Sequence, residues 1–299
     1  MVAGRYLRSR RRDTYISVIA ALTLTGVAIG VATLIVVMSV MNGFRAELLT
    51  KILGLNGHFT VYPISSEFTD YEELTVQIEQ VEGVSHAVAF VEGQALASGR
   101  GEASGVSVRG MNFADIEKLP LLSQSAQMGG WDGWDQSQGL AIGNRLAQKL
   151  GVSIGDQVTL VNPNGATTPF GSTPQIRSYP VNIIFNLGMV EFDTLFVFMP
   201  LEPAQRYFRQ FEDVLRDGVD PLPLTATDAE IDAAYARVYR ATALEIFIDD
   251  PDDTAGARER IYAEITRPMV LTGWEERNAT FFSALQVERV VMFTILSMI

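Results

Sequence analysis

The sequence contains no cysteine among its 299 residues and only two histidines. The missing thiols exclude disulfide bonds, zinc–thiolate sites, iron–sulfur clusters and a cysteine nucleophile. The histidines, His58 and His86, do not fall at a metal-ligand spacing such as H-x-x-x-H, so we expect neither a metal site nor a cofactor. Charged residues are also scarce, at 19% of the chain, whereas 47% of the residues are apolar, enough to build a core.

Positive charge is the scarcer sign, because 23 lysines and arginines face 35 acidic residues and leave a net charge of −12. A nucleic-acid partner is therefore not expected, since phosphate binding needs a basic face. The sequence also lacks a G-x-S-x-G nucleophile elbow and a G-x-x-x-x-G-K-[ST] phosphate loop. We therefore predict no catalytic residues and no nucleotide site in this chain.

The N-terminal region separates into a basic and an apolar part. Residues 1–13 hold five arginines and a single acidic residue, and residues 14–44 hold no charge. The apolar run 16–41 would form a helix of about 39 Å, long enough to cross a bilayer core of about 30 Å. A signal peptide would be shorter and would end at a small-x-small cleavage site, so we predict an uncleaved membrane helix over 14–44 with residues 1–13 in the cytoplasm.

Gly26 and Gly30 lie four residues apart within this predicted helix. Small residues at that spacing allow a second helix to approach closely, which predicts a partner helix here. The alternative is that glycine is simply frequent in membrane helices.

Residues 274–299 carry a second membrane signal. Phe281 and Phe282 begin an apolar stripe, and after Arg289 ten residues carry no charge. Ten helical residues cover about 15 Å, half a bilayer core. We predict an amphipathic helix that leads into a second membrane helix cut short by the end of the sequence, with a helix lying on the membrane surface as the alternative.

The intervening residues 45–273 predict a mixed α+β domain, because short strands and helices alternate irregularly. Residues 162–180 hold four prolines and one charge, Arg177, between two predicted strands, which favours a stiff projecting hairpin over a disordered loop. We call this segment the arm. Residues 210–241 indicate an insertion with an acidic helix over 228–239, to which no chemistry is assigned.

Four sequence blocks resemble the lipoprotein-releasing ABC transporter permeases, the LolC/LolE family. They are SVMNGFRAELLTKILGLNGH (39–58), LAIGNRLAQKLGVSIGDQVTLV (140–161), FDTLFVFMPLEPAQRYF (192–208) and WEERNATFFSALQVERVVMF (274–293). The second block is shared with macrolide-export (MacB) and FtsX-like permeases, whereas the M-N-G-F junction and the last block are more specific.

The resemblance implies an inner-membrane permease with a MacB-like periplasmic core domain between its first two membrane helices. Such a subunit extracts outer-membrane-destined lipoproteins from the membrane lipid and passes them to the periplasmic carrier LolA. A separate LolD-like ATPase subunit hydrolyses ATP, a second permease subunit is LolE-like or identical, and the periplasmic domain transmits movement.

The resemblance also implies where partners bind. The arm occupies the position of a carrier-binding hook, and its segments 169–171 and 174–177 resemble the hook's P-x-G and P-x-x-R elements. The implied carrier contacts are Phe170, Pro174, Gln175 and Arg177, and the implied lipoprotein cavity is lined by Gly26, Gly30, Phe281 and Phe282. The alternatives are a MacB- or FtsX-type permease, or a single-pass membrane-anchored periplasmic binding or sensor domain.

Overall fold

The computed structural model describes residues 14–64, 68–168, 171–216, 233–251, 253–265, 267–279, 287, 290–291 and 294–295. The chain divides into two compact units. One unit comprises Met1–Ile52 and Asn278–Ile299, and the other comprises Leu53–Arg277.

The described part of the first unit is mainly a long helix, α1 (Thr14–Leu53), whose last residue is the first residue of the second unit. Its segment Val18–Gly43 is the one helical stretch in the described part of the chain that is long and apolar enough to cross a membrane. The helix continues nine residues past the predicted end at Phe44, so the predicted domain start at residue 45 falls inside α1. An i,i+4 ion pair between Glu47 and Lys51, 3.3 Å apart, supports this extension.

The second unit is built on a ten-stranded mixed sheet in the order β12-β1-β11-β2-β3-β8-β5-β7-β4, with β6 pairing β2 and β7. Its strands are β1 (Phe59–Pro63), β2 (Val84–Ser98), β3 (Ala103–Met111), β4 (Ala126–Met128), β5 (Leu140–Gly143), β6 (Gln157–Thr168), β7 (Gly171–Phe185), β8 (Phe196–Pro200), β11 (Ala243–Ile248) and β12 (Met269–Gly273). The predicted α+β class is confirmed.

Short helices cover this sheet. They are α2 (Tyr71–Glu79), α3 (Phe113–Glu117), α4 (Pro120–Ser123), α5 (Asn144–Leu150), α6 (Val190–Leu195), α7 (Leu201–Tyr207), α8 (Thr254–Glu264) and α9 (Trp274–Arg277). The Asn112 side chain caps α3 by accepting the Asp115 N–H at 2.8 Å, and α5 ends at Gly151 in the left-handed conformation, with φ +65°.

The core lies on both faces of the sheet, because alternate residues of β2 point to opposite faces. Val88 and Phe90 enter a cluster that α3, α4 and two tryptophans cover, and Ala89 and Val91 enter the clusters under the other helices. All three clusters lie within residues 55–271, so the unit Leu53–Arg277 carries its own core.

The insertion differs from its prediction. Residues 235–239 form a strand, β10 (Tyr235–Tyr239), which pairs antiparallel with β9 (Phe211–Leu215) as a separate two-stranded sheet. The predicted acidic helix is therefore wrong over this part, and residues 217–232 lie outside the described residues. The cross-strand partners explain the change, because Arg237 pairs with Asp213 at 2.9 Å and lies 4.2 Å from the centre of the Phe211 ring.

Candidate functional site

The arm is the projecting part of a long antiparallel hairpin formed by β6 and β7, as predicted. The strands pair continuously from Gln157↔Pro180 to Asn162↔Gln175 and again from Ala166↔Thr173 to Thr168↔Gly171. Both flanking strands belong to the main sheet, since β6 pairs with β2 and β7 pairs with β5. The arm is therefore rooted in the rigid core of the unit.

A bulge interrupts the arm between Asn162 and Ala166, where β6 advances four residues while β7 advances two. Pro163 and Pro174 lie at this point, and neither can donate a backbone hydrogen bond to the ladder. At Gly165, a Cβ atom would lie 2.2 Å from the Thr173 carbonyl oxygen, so only glycine fits without a shift of the backbone. The sequence thus specifies a kinked arm.

The arm has two chemically different faces, because side chains alternate along β7. Gln175, Arg177 and Tyr179 share one face, on which the Tyr179 ring packs edge-on against Tyr207 of α7 with the ring centres 6.0 Å apart. Pro174 and Ile176 lie on the opposite face and are exposed.

The exposed face of the arm continues an apolar row across three strands. Leu96 of β2 is the register partner of Val161, and Val161 is the register partner of Ile176. Leu96 is 47% exposed and Ile176 is 63% exposed, and Val161 between them is half-buried. A contiguous group of exposed apolar side chains is typical of a protein contact surface. We call these three residues the apolar row.

The other face of the arm borders a groove of about 650 Å³. Gln175, Arg177 and Tyr179 line one side of the groove, Glu202 and Arg206 of α7 line another, and residues 135–138 complete it. Glu202 and Arg206 form an ion pair with 2.5 Å between Oε1 and Nη2, so their charges compensate each other. Arg206 Nε also donates to the Tyr239 hydroxyl at 3.1 Å.

Arg177 differs from Arg206, because no acidic side chain in the described part of the chain lies within ion-pair distance of it. Its guanidinium is exposed at the edge of the groove. Burial raises the pKa of Tyr179, with Arg177 opposing the shift, so this tyrosine stays neutral and acts as a packing and hydrogen-bonding group. The groove side of the arm therefore offers one uncompensated positive charge.

The structure brings together only part of the predicted site. Gln175 and Arg177 share the groove face, whereas Pro174 lies on the exposed face. Phe170, Phe281 and Phe282 lie outside the described residues. Gly26 and Gly30 lie in α1, and among the described residues a Cβ built on either would meet no atom within 4 Å beyond its own helix, so helix packing at this point stays a prediction.

Two features of the site are absent from the sequence-based prediction. The groove wall formed by Glu202 and Arg206 could have been found as an i,i+4 charge pair, but its closeness to the arm depends on tertiary packing. Leu96 carries no local signal, because its exposure depends on how far the neighbouring strands extend.

Metal-binding chemistry has no support in the described part of the chain, where no three His, Asp or Glu side chains form a potential ligand group. His58 and His86 instead both contact Phe247. The His86 ring stacks on the phenyl ring with the centres 4.3 Å apart, and the His58 ring meets it edge-on at 6.4 Å.

Comparison with known proteins identifies one matching family. The MacB-like periplasmic core domain matches residues 20–262. The chain is also similar to the lipoprotein-releasing system transmembrane protein LolC of Neisseria meningitidis serogroup B, with 27% identity over 297 residues covering 99% of this chain. LolC of Xylella fastidiosa is 26% identical over 99% of the chain, and LolE of Haemophilus influenzae is 23% identical over 98%. The chain spans 65% of the length of each of these relatives.

Solved structures with some similarity are the extracellular domain of the ABC-type transporter YknZ from Gram-positive bacteria and the periplasmic region of MacB from Actinobacillus actinomycetemcomitans. The first has a TM-score of 0.42 and 14% identity, covering 73% of this chain and 99% of the YknZ domain. The second has a TM-score of 0.41 and 10% identity, covering 79% of this chain and 97% of the MacB region.

Proposed function

The chain belongs to the family of proteins with a MacB-like periplasmic core domain, and from this premise we propose that it is a permease subunit of a lipoprotein-releasing ABC transporter. Similarity to LolC and LolE proteins along 98–99% of the chain supports this assignment. The observation that carries it furthest is the arm, a kinked, proline-stiffened hairpin rooted in the main sheet.

The arm captures the periplasmic carrier LolA in this proposal. A stiff hairpin loses little conformational entropy when a partner binds, so more of the contact energy appears as affinity. The apolar row and Pro174 form an apolar contact surface on one face of the arm, and Arg177 supplies a planar guanidinium cation on the other face. A partner with an apolar cavity and an acidic rim is complementary to both faces.

The conformational change of the permease is driven by a separate subunit in this proposal. A permease can shift an equilibrium only through states that differ in affinity, and the sequence contains no phosphate-binding loop. The energy therefore comes from a LolD-like ATPase subunit, and the lipoprotein leaves the lipid of the inner membrane beside α1. In this proposal the N-terminus is cytoplasmic and the unit Leu53–Arg277 is periplasmic, which the five arginines of residues 1–13 support through the positive-inside rule.

Reconstitution tests the proposed function directly. The transporter that contains this chain is assembled with its ATPase and second permease subunit, LolE-like or identical, in liposomes holding a fluorescent acylated lipoprotein. We expect lipoprotein to appear on soluble LolA only when both ATP and LolA are present, and an ATPase-inactive partner is the control. ATP hydrolysis without any LolA-dependent transfer would point instead to a MacB- or FtsX-type permease.

A further inference from the structure

Two glutamates and two arginines form a cluster that includes Arg277, the last residue of the unit Leu53–Arg277, and that contacts Gly57 near the start of the unit. Glu92, Arg109 and Glu245 come from β2, β3 and β11, and Arg277 comes from α9. The three strand residues lie on one face of the sheet. Glu92 is the cross-strand partner of Arg109, and Glu245 is the cross-strand partner of Val88. Val88 and Glu92 are four residues apart in β2, so their side chains point to the same face. We call these four residues the charge cluster.

Arg109 is the centre of the charge cluster. Its side chain is 4% exposed, and its guanidinium lies 2.7 Å from Glu92 and 3.4 Å from Glu245. The Phe90 ring packs against the guanidinium, 4.4 Å from the ring centre. Ion pairs at this depth are costly to separate, because removing one partner leaves a buried charge uncompensated.

Arg277 completes the charge cluster from the other side. Its Nη1 lies 3.7 Å from Glu245 Oε1, and its Nη2 donates to the Gly57 carbonyl oxygen at 3.1 Å. Burial raises the pKa of Glu245, and Arg109 and Arg277 both oppose that shift. The ionised state of Glu245 therefore depends on both arginines.

Gly57 is held against the sheet by contact as well as by hydrogen bonding. A Cβ atom at this position would lie 2.8 Å from the backbone nitrogen and oxygen of Ile246, so the backbone here lies directly on β11. The next residue is also tied to α9, because the Trp274 N–H donates to the His58 carbonyl oxygen at 2.9 Å.

These contacts join two chain positions that are far apart in sequence, each a few residues from a predicted membrane segment. Gly57 follows the end of α1 by four residues, and Arg277 directly precedes residues 278–299. We propose that Arg277 is a positioning residue that fixes both connections to the charge cluster, so that movement of either membrane segment is passed to the sheet that carries the arm. This inference rests on the proposed function and adds the residues that couple its parts.

Replacement of Arg277 tests the coupling in the assembled transporter. Arg277→Leu removes the contacts to Gly57 and Glu245. Arg277→Lys keeps the positive charge but replaces the planar guanidinium with one ammonium group, which cannot span both partners in the same way. Arg258→Leu is the matched control, because Arg258 pairs with the neighbouring Glu276 at 2.8 Å outside the charge cluster. Two readouts are measured, namely hydrogen exchange at the Trp274 amide and lipoprotein released per ATP hydrolysed.

We expect Arg277→Leu to speed exchange at Trp274 about tenfold or more, as loss of a charged hydrogen bond predicts. Exchange at Ile142 in the core should stay unchanged, LolA binding should be retained, and ATP hydrolysis should continue while release per ATP falls. Arg277→Lys should recover part of the protection from exchange at Trp274 and part of the release per ATP. Arg258→Leu should alter neither of these two readouts.

Unchanged exchange at Trp274, or faster exchange with normal release per ATP, would overturn the inference while the proposed function stands. A wild-type transporter that releases no lipoprotein to LolA would overturn the proposed function, and the inference would fall with it.

Discussion

The unit Leu53–Arg277 should lose stability in mild acid because of one buried imidazole. His58 is 6% exposed, its Nδ1 accepts the Ile248 N–H at 3.2 Å, and its Nε2 has no hydrogen-bond partner among the described residues. Burial lowers the pKa of His58 from 6.5 to about 4, with a smaller contribution from His86. The folded state therefore keeps this ring neutral at a pH where the unfolded chain already binds a proton.

The sign and size of the effect follow from these two values. A lowered histidine pKa contributes stability that is complete above pH 6.5 and is lost as the pH falls toward 4. Between about pH 7.5 and pH 4.5, linkage predicts a loss of about 2.5 kcal/mol in the free energy of unfolding.

Urea unfolding of residues 53–277 at a series of pH values measures this loss. The comparison is with His58→Gln, whose amide oxygen can accept the same N–H but does not titrate. Carboxylates such as Glu79 and Glu92, whose pKa values are lowered in the fold, respond to acid in both proteins and cancel in the difference. Parallel stability curves for the two proteins would refute the assignment of the acid sensitivity to His58.

Three further substitutions test the packing, each by urea unfolding of the same unit. Gly110→Ala should cost about 1–3 kcal/mol because its Cβ would lie 2.1 Å from the Ala204 Cβ, whereas Gly105→Ala in the same strand has open space and should change stability by less than about 0.5 kcal/mol. An equal loss of stability in Gly110→Ala and Gly105→Ala would contradict the close packing at Gly110. Phe198→Ala should cost about 3–5 kcal/mol, since the ring is fully buried against Phe185, and a loss below about 1 kcal/mol would be inconsistent with that core. Arg109→Met should cost about 3–5 kcal/mol, because Glu92 loses its ion-pair partner and the buried Glu245 keeps only Arg277, against less than about 1 kcal/mol for Arg237→Met at an exposed pair. An unchanged free energy of unfolding in Arg109→Met would show that the charge cluster contributes no net stability.

Local signals in the sequence predicted many of the elements. The apolar positions of residues 144–150 and the glycine that follows them predict a helix that ends at Gly151, and the structure places that glycine in the left-handed conformation. The arm was predicted from its prolines and its flanking strands, and it is a hairpin. Both features depend on residues close together in the chain, so a sequence pattern is sufficient to find them.

Features that depend on distant residues were not predictable in the same way. The parallel pairings of β3 with β8 and of β5 with β7 join strands separated by other elements, and no local pattern encodes them. The strand β10 was mistaken for a helix because its pairing with β9 outweighs the helix propensity of the preceding acidic residues. The groove and the charge cluster likewise exist only once the sheet has assembled.

Calorimetry of residues 53–277 with LolA from the same organism tests whether the arm binds the lipoprotein carrier. We predict saturable binding that weakens at least about tenfold when Pro174→Ala and Arg177→Glu are combined, because the change loosens the kink and reverses the one uncompensated charge of the groove face. Arg216→Glu, the same charge reversal at the end of β9, should leave the affinity unchanged. Equal affinity of the wild-type and doubly substituted proteins, or no binding by the folded wild-type unit, would contradict the claim.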